Sequence, residues 1–248
     1  MEVAIVTVGD EVLAGETTNT NAAWLAGEVT DRGARVERIL TLPDDRAVIA
    51  GRVREWADRY DAVVVTGGLG GTHDDVTAGA VADAVGRELV VDDAVRADVV
   101  ETVAAYRDAN PELVAAHDLD IDVEAWAALP AGSRPVLNSE GLCPGFVCEN
   151  VYALPGVPAE VRAVFGRMAE AFAGDEVSRT LYTPQPEGSV VETLATARER
   201  FAVAVGSYPD TEAHNRITVR GEDGDRVERA AGWLRERVET VEKPGERR

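Results

Sequence analysis

Between Thr66 and Asp75 the chain reads TGGLGGTHDD, and its residue types suit phosphate chemistry. Gly67, Gly68, Gly70 and Gly71, with Leu69 between them, allow backbone conformations closed to other residues and let a ligand approach the main chain. Thr72, His73, Asp74 and Asp75 follow, at the start of a helical pattern carried by Val76, Ala80, Val81 and Ala84. A glycine loop ahead of a helix N-terminus attracts anions, because unpaired N–H groups and the helix dipole point into it. Two carboxylates at that place oppose a bare phosphate. They suit a phosphate sharing Mg²⁺, which takes oxygen ligands and bridges to phosphates. The competing reading is structural: such loops use glycine, and Asp caps helices. That reading covers one glycine and one Asp, but not four glycines with a Thr-His-Asp-Asp run.

A second polar constellation follows the apolar run Val3 to Val8. Gly9, Asp10 and Glu11 stand at its end, then Gly15 to Asn21, rich in capping residues. Asp10 and Glu11 are either metal ligands or a polar strand end. Asn19 and Asn21 either hydrogen-bond a base or ribose, or cap a helix at Asn19. His73 is expected to line the site, touching a phosphate or acting as a base. His117 and His214 read as structural or surface residues, and Trp24 and Trp56 as core.

The elements that position these groups alternate. Val3 to Val8 reads as a strand, Ala22 to Val29 as a helix ended by Gly33, and Val36 to Leu40 as a strand. Pro43-Asp44-Asp45 starts a helix carrying Val48, Ile49, Val53 and Trp56, and Ala62 to Val65 is a buried strand. Such alternation predicts a parallel α/β sheet with right-handed crossovers. Ligands of such sheets sit beyond the carboxyl ends of the strands, so Gly9 to Glu11 and Gly67 to Asp75 can face one crevice. Asp92 to Arg107 reads as a helix, and Glu112 to Leu129 is ambiguous. Pro135 to Phe146, with Pro144 and Gly145, reads as a second rim loop. Strands follow at Phe146 to Cys148 and Val151 to Leu154, then Pro155-Gly156-Val157-Pro158 opens a helix over Ala159 to Phe172. Three segments result: 1–172, a small β-α-β-β-α domain over 173–242, and a polar tail, 243–248.

Charge narrows the partners. The 248 residues carry 45 acidic and 25 basic groups, a formal net charge of −20, and Lys243 is the only lysine. An acidic surface nearly free of lysine is that of a protein kept soluble in high salt, which suggests a halophile. It argues against nucleic-acid and anionic-membrane partners, which need basic patches. No apolar run approaches a membrane span of about 20 residues, and the N-terminus lacks a signal-peptide pattern. A cytoplasmic location is expected. Cys143 and Cys148 read as small buried thiols. Gly221 to Gly224 matches a GxxG loop only superficially, since its middle residues are acidic.

Several stretches, taken in order over about residues 1–165, resemble one family. Val6 to Leu13 resembles the GDE(L/V)L start of molybdopterin-binding domains of the MoaB/Mog type. Asn19 to Leu25 resembles the TNAAWLA stretch of the competence/damage-inducible CinA branch, and Thr66 to Thr77 its TGGLGPTHDD(L/V)T. Pro144-Gly145-Phe146 and Leu154 to Pro158 resemble its later APGF and LPGVP segments. Gly71 stands where that branch carries proline, and Leu142-Cys143 replaces its Thr-Ala. The amidohydrolase domain of many CinA proteins is absent, so its deamidation is not carried over.

The resemblance implies a three-layer α/β/α sandwich that binds phosphorylated pterins or adenine dinucleotides, followed by a small α+β KH-type domain. It implies cleavage of a dinucleotide such as ADP-ribose or FAD at the pyrophosphate, with a divalent metal, Mg²⁺ or a transition metal. Adenylylation or binding of molybdopterin, and non-catalytic nucleotide binding, stand as alternatives. Asp75, Asp74 and Asp10 are the expected catalytic residues, and Asp10 and Asp75 the expected metal ligands. Gly9, Glu11, Asn19, Asn21, Thr66 to His73, Pro144, Gly145 and Gly156 are expected to touch the ligand. A homo-oligomer is expected, a dimer before a trimer.

Overall fold

The computed structural model describes residues 1–72, 74–112, 121–209 and 214–242. The chain divides into two compact units, residues 1–30 with 34–173 and residues 31–33 with 174–248.

In the first unit, β1 (Glu2–Val8), β2 (Arg35–Leu42) and β3 (Ala62–Thr66) form the parallel part of a six-stranded sheet. Successive side chains of a strand point to opposite faces, and both faces here are covered. Val3, Ile5 and Val64 pack with Leu25 and Val29 of α2 (Thr20–Asp31) and with Val161 and Phe165 of α7 (Pro158–Gly166). Ala4, Val6, Val63 and Val65 pack with residues of α3 (Arg46–Ala57), α4 (Thr77–Val85) and α5 (Asp93–Ala109). Helices on both faces of one sheet make three layers. Burial on both sides is why these strands are apolar runs without alternation.

The sheet is mixed, which corrects the all-parallel expectation. β6 (Arg134–Val136), β7 (Gly145–Cys148) and β8 (Val151–Leu154) extend it in the order β2-β1-β3-β8-β7-β6. β8 runs parallel to β3, but β7 and β6 are antiparallel neighbours. A two-residue turn at Glu149 and Asn150 leaves no room for a crossover helix, so the strand must return antiparallel. The Pro135 to Phe146 stretch therefore holds a strand at each end of its loop. Two further strands, β4 (Leu89–Val91) and β5 (Ala128–Pro130), pair antiparallel outside this sheet. Three residues are too few to display a period. The ambiguous segment supplies β5 and α6 (Val123–Trp126), while His117 lies outside the described residues. The expected helix over Ala159 to Phe172 breaks after Gly166. A 3₁₀ turn, Ala169–Phe172, then returns Phe172 to the core.

The second unit follows the expected β-α-β-β-α order. β9 (Val177–Thr183), α8 (Glu187–Phe201), β10 (Ala204–Tyr208), β11 (Asn215–Gly221) and α9 (Gly224–Arg235) build an antiparallel sheet ordered β10-β11-β9. Its core joins Leu181, Ile217 and Val219 to Leu194, Ala197, Ala230 and Leu234. α9 stops at Arg235, short of the expected Val241, which pairs instead with Tyr182 as an isolated bridge. Among the described residues no helix is long and apolar enough to cross a membrane.

Candidate functional site

The carboxyl ends of β1 and β3 open into a cavity of about 270 Å³. Thr7, Val8 and Gly9 reach it from β1, and Glu11 and Val12 from α1 (Asp10–Leu13). Thr17 to Asn21 reach it from the approach to α2 and its first turn. Asp44 comes from the turn between β2 and α3, and Thr66, Gly67, Gly68, Asp74 and Asp75 from the glycine loop. Gly156 and Pro158 close it ahead of α7.

Close packing dictates the first two glycines of the loop. Gly67 has φ 101°, and a Cβ there would run into the Val8 carbonyl of the neighbouring strand. Gly68 has φ 63°, and its Cβ would lie 2.7 Å from Thr77 Oγ1. Both angles fall where side chains are strained and glycine is not. Fully buried Thr77 ties the loop down. Its hydroxyl donates to Gly67 O at 2.8 Å, and its N–H to Gly68 O at 2.9 Å. Thr66 Oγ1 donates to Pro155 O at 2.6 Å, and Gly67 N–H to Leu154 O at 3.2 Å. The Gly67 and Thr77 amides are thus committed to the fold.

Thr72, Asp74 and Asp75 precede the helix instead of forming its first turn. α4 begins at Thr77, and its cap residue, Val76, offers no side-chain hydrogen bond. Asp75 N–H donates to Thr72 O at 3.1 Å. Thr72 Oγ1 lies 2.6 Å from Asp74 Oδ1 and 2.5 Å from Asp75 Oδ2, and Thr72 N–H donates to Asp75 Oδ2 at 3.0 Å. A hydroxyl has one proton to donate, so the two carboxylates share it. Across the cavity, Asp44 Oδ2 accepts from Asp10 N–H at 2.9 Å. Burial pushes the Asp44 carboxyl above its ordinary range. The nearby Asp10, Glu11 and Asp74 carboxylates push the same way, opposed by the Asp10 N–H. No Arg or Lys lines the cavity among the described residues. Arg46, two residues from Asp44, instead grips Asp83 with two bonds of 2.7 and 2.9 Å.

Of the expected residues, the fold brings Gly9, Glu11, Asn19, Asn21, Thr66, Gly67, Gly68, Asp74, Asp75 and Gly156 to this cavity. Asp10 is exposed and outside its lining, and its N–H positions Asp44. Leu69 is buried in the core. Gly70 lies against the Asp75 carboxylate and Gly71 against the Trp126 indole, each leaving no space for a Cβ. Thr72 serves the cavity through Asp74 and Asp75. Pro144 and Gly145 are buried where β7 begins, and a Cβ on Gly145 would meet Val164 and the Ala153 carbonyl, so that glycine serves packing. His73 lies outside the described residues.

Asn19 follows the capping reading. Its Oδ1 accepts from Ala22 N–H at 3.0 Å, and its Nδ2 donates to Thr7 and Thr41 hydroxyls at 3.0 and 3.3 Å. Asn21 Nδ2 donates to Gly156 O at 2.7 Å. Trp56 is buried in the core, and Trp24 packs edge-on against Phe165. Cys143 and Cys148 are free, buried thiols. Sequence reasoning missed Asp44 and the hydroxyls of Thr7, Thr17, Thr18 and Thr20. The rule that selected Asp10, a carboxylate just beyond a strand end, applies equally to Asp44 after β2.

Among the described residues no three acidic, histidine or cysteine side chains converge tightly enough to hold a cation by themselves. One or two carboxylates completed by phosphate oxygens and water are what Mg²⁺ uses beside a nucleotide. The pair Asp74 and Asp75, lining the cavity together with Asp44 and Glu11, fits that donor set.

Residues 4–175 match the family described as "Probable molybdopterin binding domain", and residues 176–243 match "FAD synthase, middle domain". A protein of Archaeoglobus fulgidus is 37% identical over 238 residues, which cover 95% of this chain and 97% of that one. A CinA-like protein of Geobacter sp. is 34% identical over 96% of this chain, which spans 58% of that protein's length. The crystal structure of the protein CinA "with unknown function" from Thermoplasma acidophilum superposes with a TM-score of 0.60 at 31% identity. The match covers 70% of this chain and 99% of that one.

Proposed function

This chain belongs to the molybdopterin-binding-domain family, in its CinA-like branch, and from that premise we propose that it hydrolyses a pyrophosphate-containing dinucleotide with a divalent cation. One observation carries the reading. The cavity is walled by Glu11, Asp44, Asp74 and Asp75, and among the described residues that line it there is no Arg or Lys. Such a site repels a polyphosphate unless a cation enters with it. A pyrophosphate supplies several oxygens to share that cation, and a monophosphate fewer. The match of the second segment to a domain of FAD synthase also favours a dinucleotide over a simple phosphate.

In this reading Asp75 and Asp74 would hold the cation, and Thr72 fixes both carboxylates. The cation, when bound, supplies positive charge where negative charge develops on the phosphate oxygens. The hydroxyls of Thr17, Thr18 and Thr20 donate to phosphate oxygens from the N-terminal end of α2. Asp44, whose burial and acidic neighbours raise its pKa and so make its ionised carboxylate a stronger base, accepts a proton from the attacking water. One P–O bond forms and the bridging P–O bond breaks, so ADP-ribose yields AMP and ribose 5-phosphate. The protein works in the cytoplasm as a homo-oligomer.

Incubating the pure protein with ADP-ribose, FAD, NAD and ATP plus Mg²⁺ tests this, with products separated by chromatography. Metal-dependent monophosphate products from ADP-ribose or FAD are expected, and none in EDTA. The family's description favours a second reading, in which the same cavity holds the phosphate of a molybdopterin. Tight pterin binding with no dinucleotide cleavage would select it.

A further inference from the structure

The first unit contains a second cavity, and nothing in the mechanism above uses it. It measures about 360 Å³, lies between α5 and the loop before β7, and is walled largely by apolar groups, among them Val103, Tyr106, Ile121 and Leu142. Tyr106 keeps 47% of its surface exposed, an aromatic face open to stacking. Gly141 also lines this cavity, and against it packs the carboxyl of Glu160, in the first turn of α7. A Cβ at position 141 would overlap that carboxyl, so the glycine makes room for it.

Glu160 is anomalous. It is half-buried, and burial pushes its carboxyl above the ordinary range. Among the described residues it has neither an ion pair nor a hydrogen-bond donor. Its oxygens still reach solvent, so it is an acceptor without a protein partner that stays open to a ligand. Pro158, two residues earlier, lines the acidic cavity, and the Cys143 thiol feels both Glu160 and Asp75. Glu160 lines neither cavity, but its carboxyl packs on Gly141 of the apolar one and it stands two residues from Pro158 of the acidic one.

We propose that the apolar cavity and Glu160 form a nucleoside subsite, the cavity taking the planar base and the carboxylate accepting hydrogen bonds from the ribose hydroxyls. Ligand sites combine apolar walls with a few placed polar groups, and a carboxylate is a recurrent partner of ribose hydroxyls. The order of features, apolar slot, lone acceptor, cation-demanding acidic cavity, matches base, sugar and pyrophosphate. The inference rests on the function proposed above and names the half of the substrate that sets specificity.

The test is calorimetric titration of the parent protein, Glu160→Gln and Leu142→Trp with ADP-ribose and with inorganic pyrophosphate, both in Mg²⁺. Removing a charged acceptor or filling the cavity should weaken ADP-ribose binding about ten- to a hundredfold. Pyrophosphate affinity should stay within about twofold. Thermal melts check that Leu142→Trp folds, and Glu160→Gln, which keeps size and shape, carries the test if it does not. ADP-ribose affinity unchanged in Glu160→Gln and in folded Leu142→Trp overturns the subsite, as does an equal loss for both ligands. A parent protein that binds neither ligand overturns the dinucleotide reading itself, a result distinct from either.

Discussion

Replacing Gly68 by alanine probes whether the loop between β3 and α4 is held as described. The residue has φ 63°, where a side chain costs about 1–2 kcal/mol. Its Cβ would lie 2.7 Å from Thr77 Oγ1, so the hydroxyl must turn away. Turning it breaks a 2.8 Å bond to Gly67 O by a fully buried threonine, a loss of about 1–2 kcal/mol. Together these come to about 2–4 kcal/mol, or a melting-point drop of about 5–15 °C at roughly 2–4 °C per kcal/mol. The assay is a calorimetric melt of Gly68→Ala, Thr77→Ala and the double variant. With the hydroxyl already gone, the second change should cost about 1 kcal/mol less than in the parent protein. A drop under about 2 °C for Gly68→Ala, or strict additivity in the double variant, would refute the loop geometry.

Further predictions concern charge. Asp75→Asn keeps an acceptor for the Thr72 N–H but removes a cation ligand, so turnover should fall by orders of magnitude with little change in melting point; turnover within a few-fold of the parent would remove Asp75 from the mechanism. Asp44 has a folded-state pKa above its ordinary 3.8. Its contribution to stability is therefore greatest below that value, and is lost as pH rises through the raised one. Asp44→Asn should thus stabilise the metal-free protein at pH 7, not at pH 3, while weakening metal-dependent turnover; urea titrations at both pH values check the first half. With a formal charge of −20, the protein should melt at markedly higher temperature in molar KCl than in dilute buffer, since salt screens carboxylate repulsion; a flat curve would count against adaptation to high salt.

The legible parts of this fold were those in which one short stretch carries the whole signal. The glycine loop and its carboxylates announce themselves within ten residues. β1 and β3 are apolar because both faces are buried, and their alternation with helices predicts the layers. What could not be read depends on partners distant in sequence. Asp44 joins the cavity only because β2 lies beside β1, which brings it to Asp10 and Glu11. Gly145 looks like a ligand glycine until Val164 and Ala153 are seen to fill the space beside it. Asn19 is drawn inward by hydroxyls on two different strands, Thr7 and Thr41, which no local pattern reveals. β4 and β5, three residues each, are recognisable only by their pairing.

The central claim is that metal and pyrophosphate enter one acidic cavity together. Calorimetry of ADP-ribose and of AMP, each with Mg²⁺ and with EDTA, tests it most directly. Linkage requires that if metal strengthens ligand binding, ligand strengthens metal binding by the same factor. The account predicts measurable ADP-ribose binding in Mg²⁺, far weaker binding in EDTA, and weaker binding of AMP in both. ADP-ribose that binds equally well in EDTA, or a pterin that binds tightly where ADP-ribose and FAD fail with metal present, would contradict it.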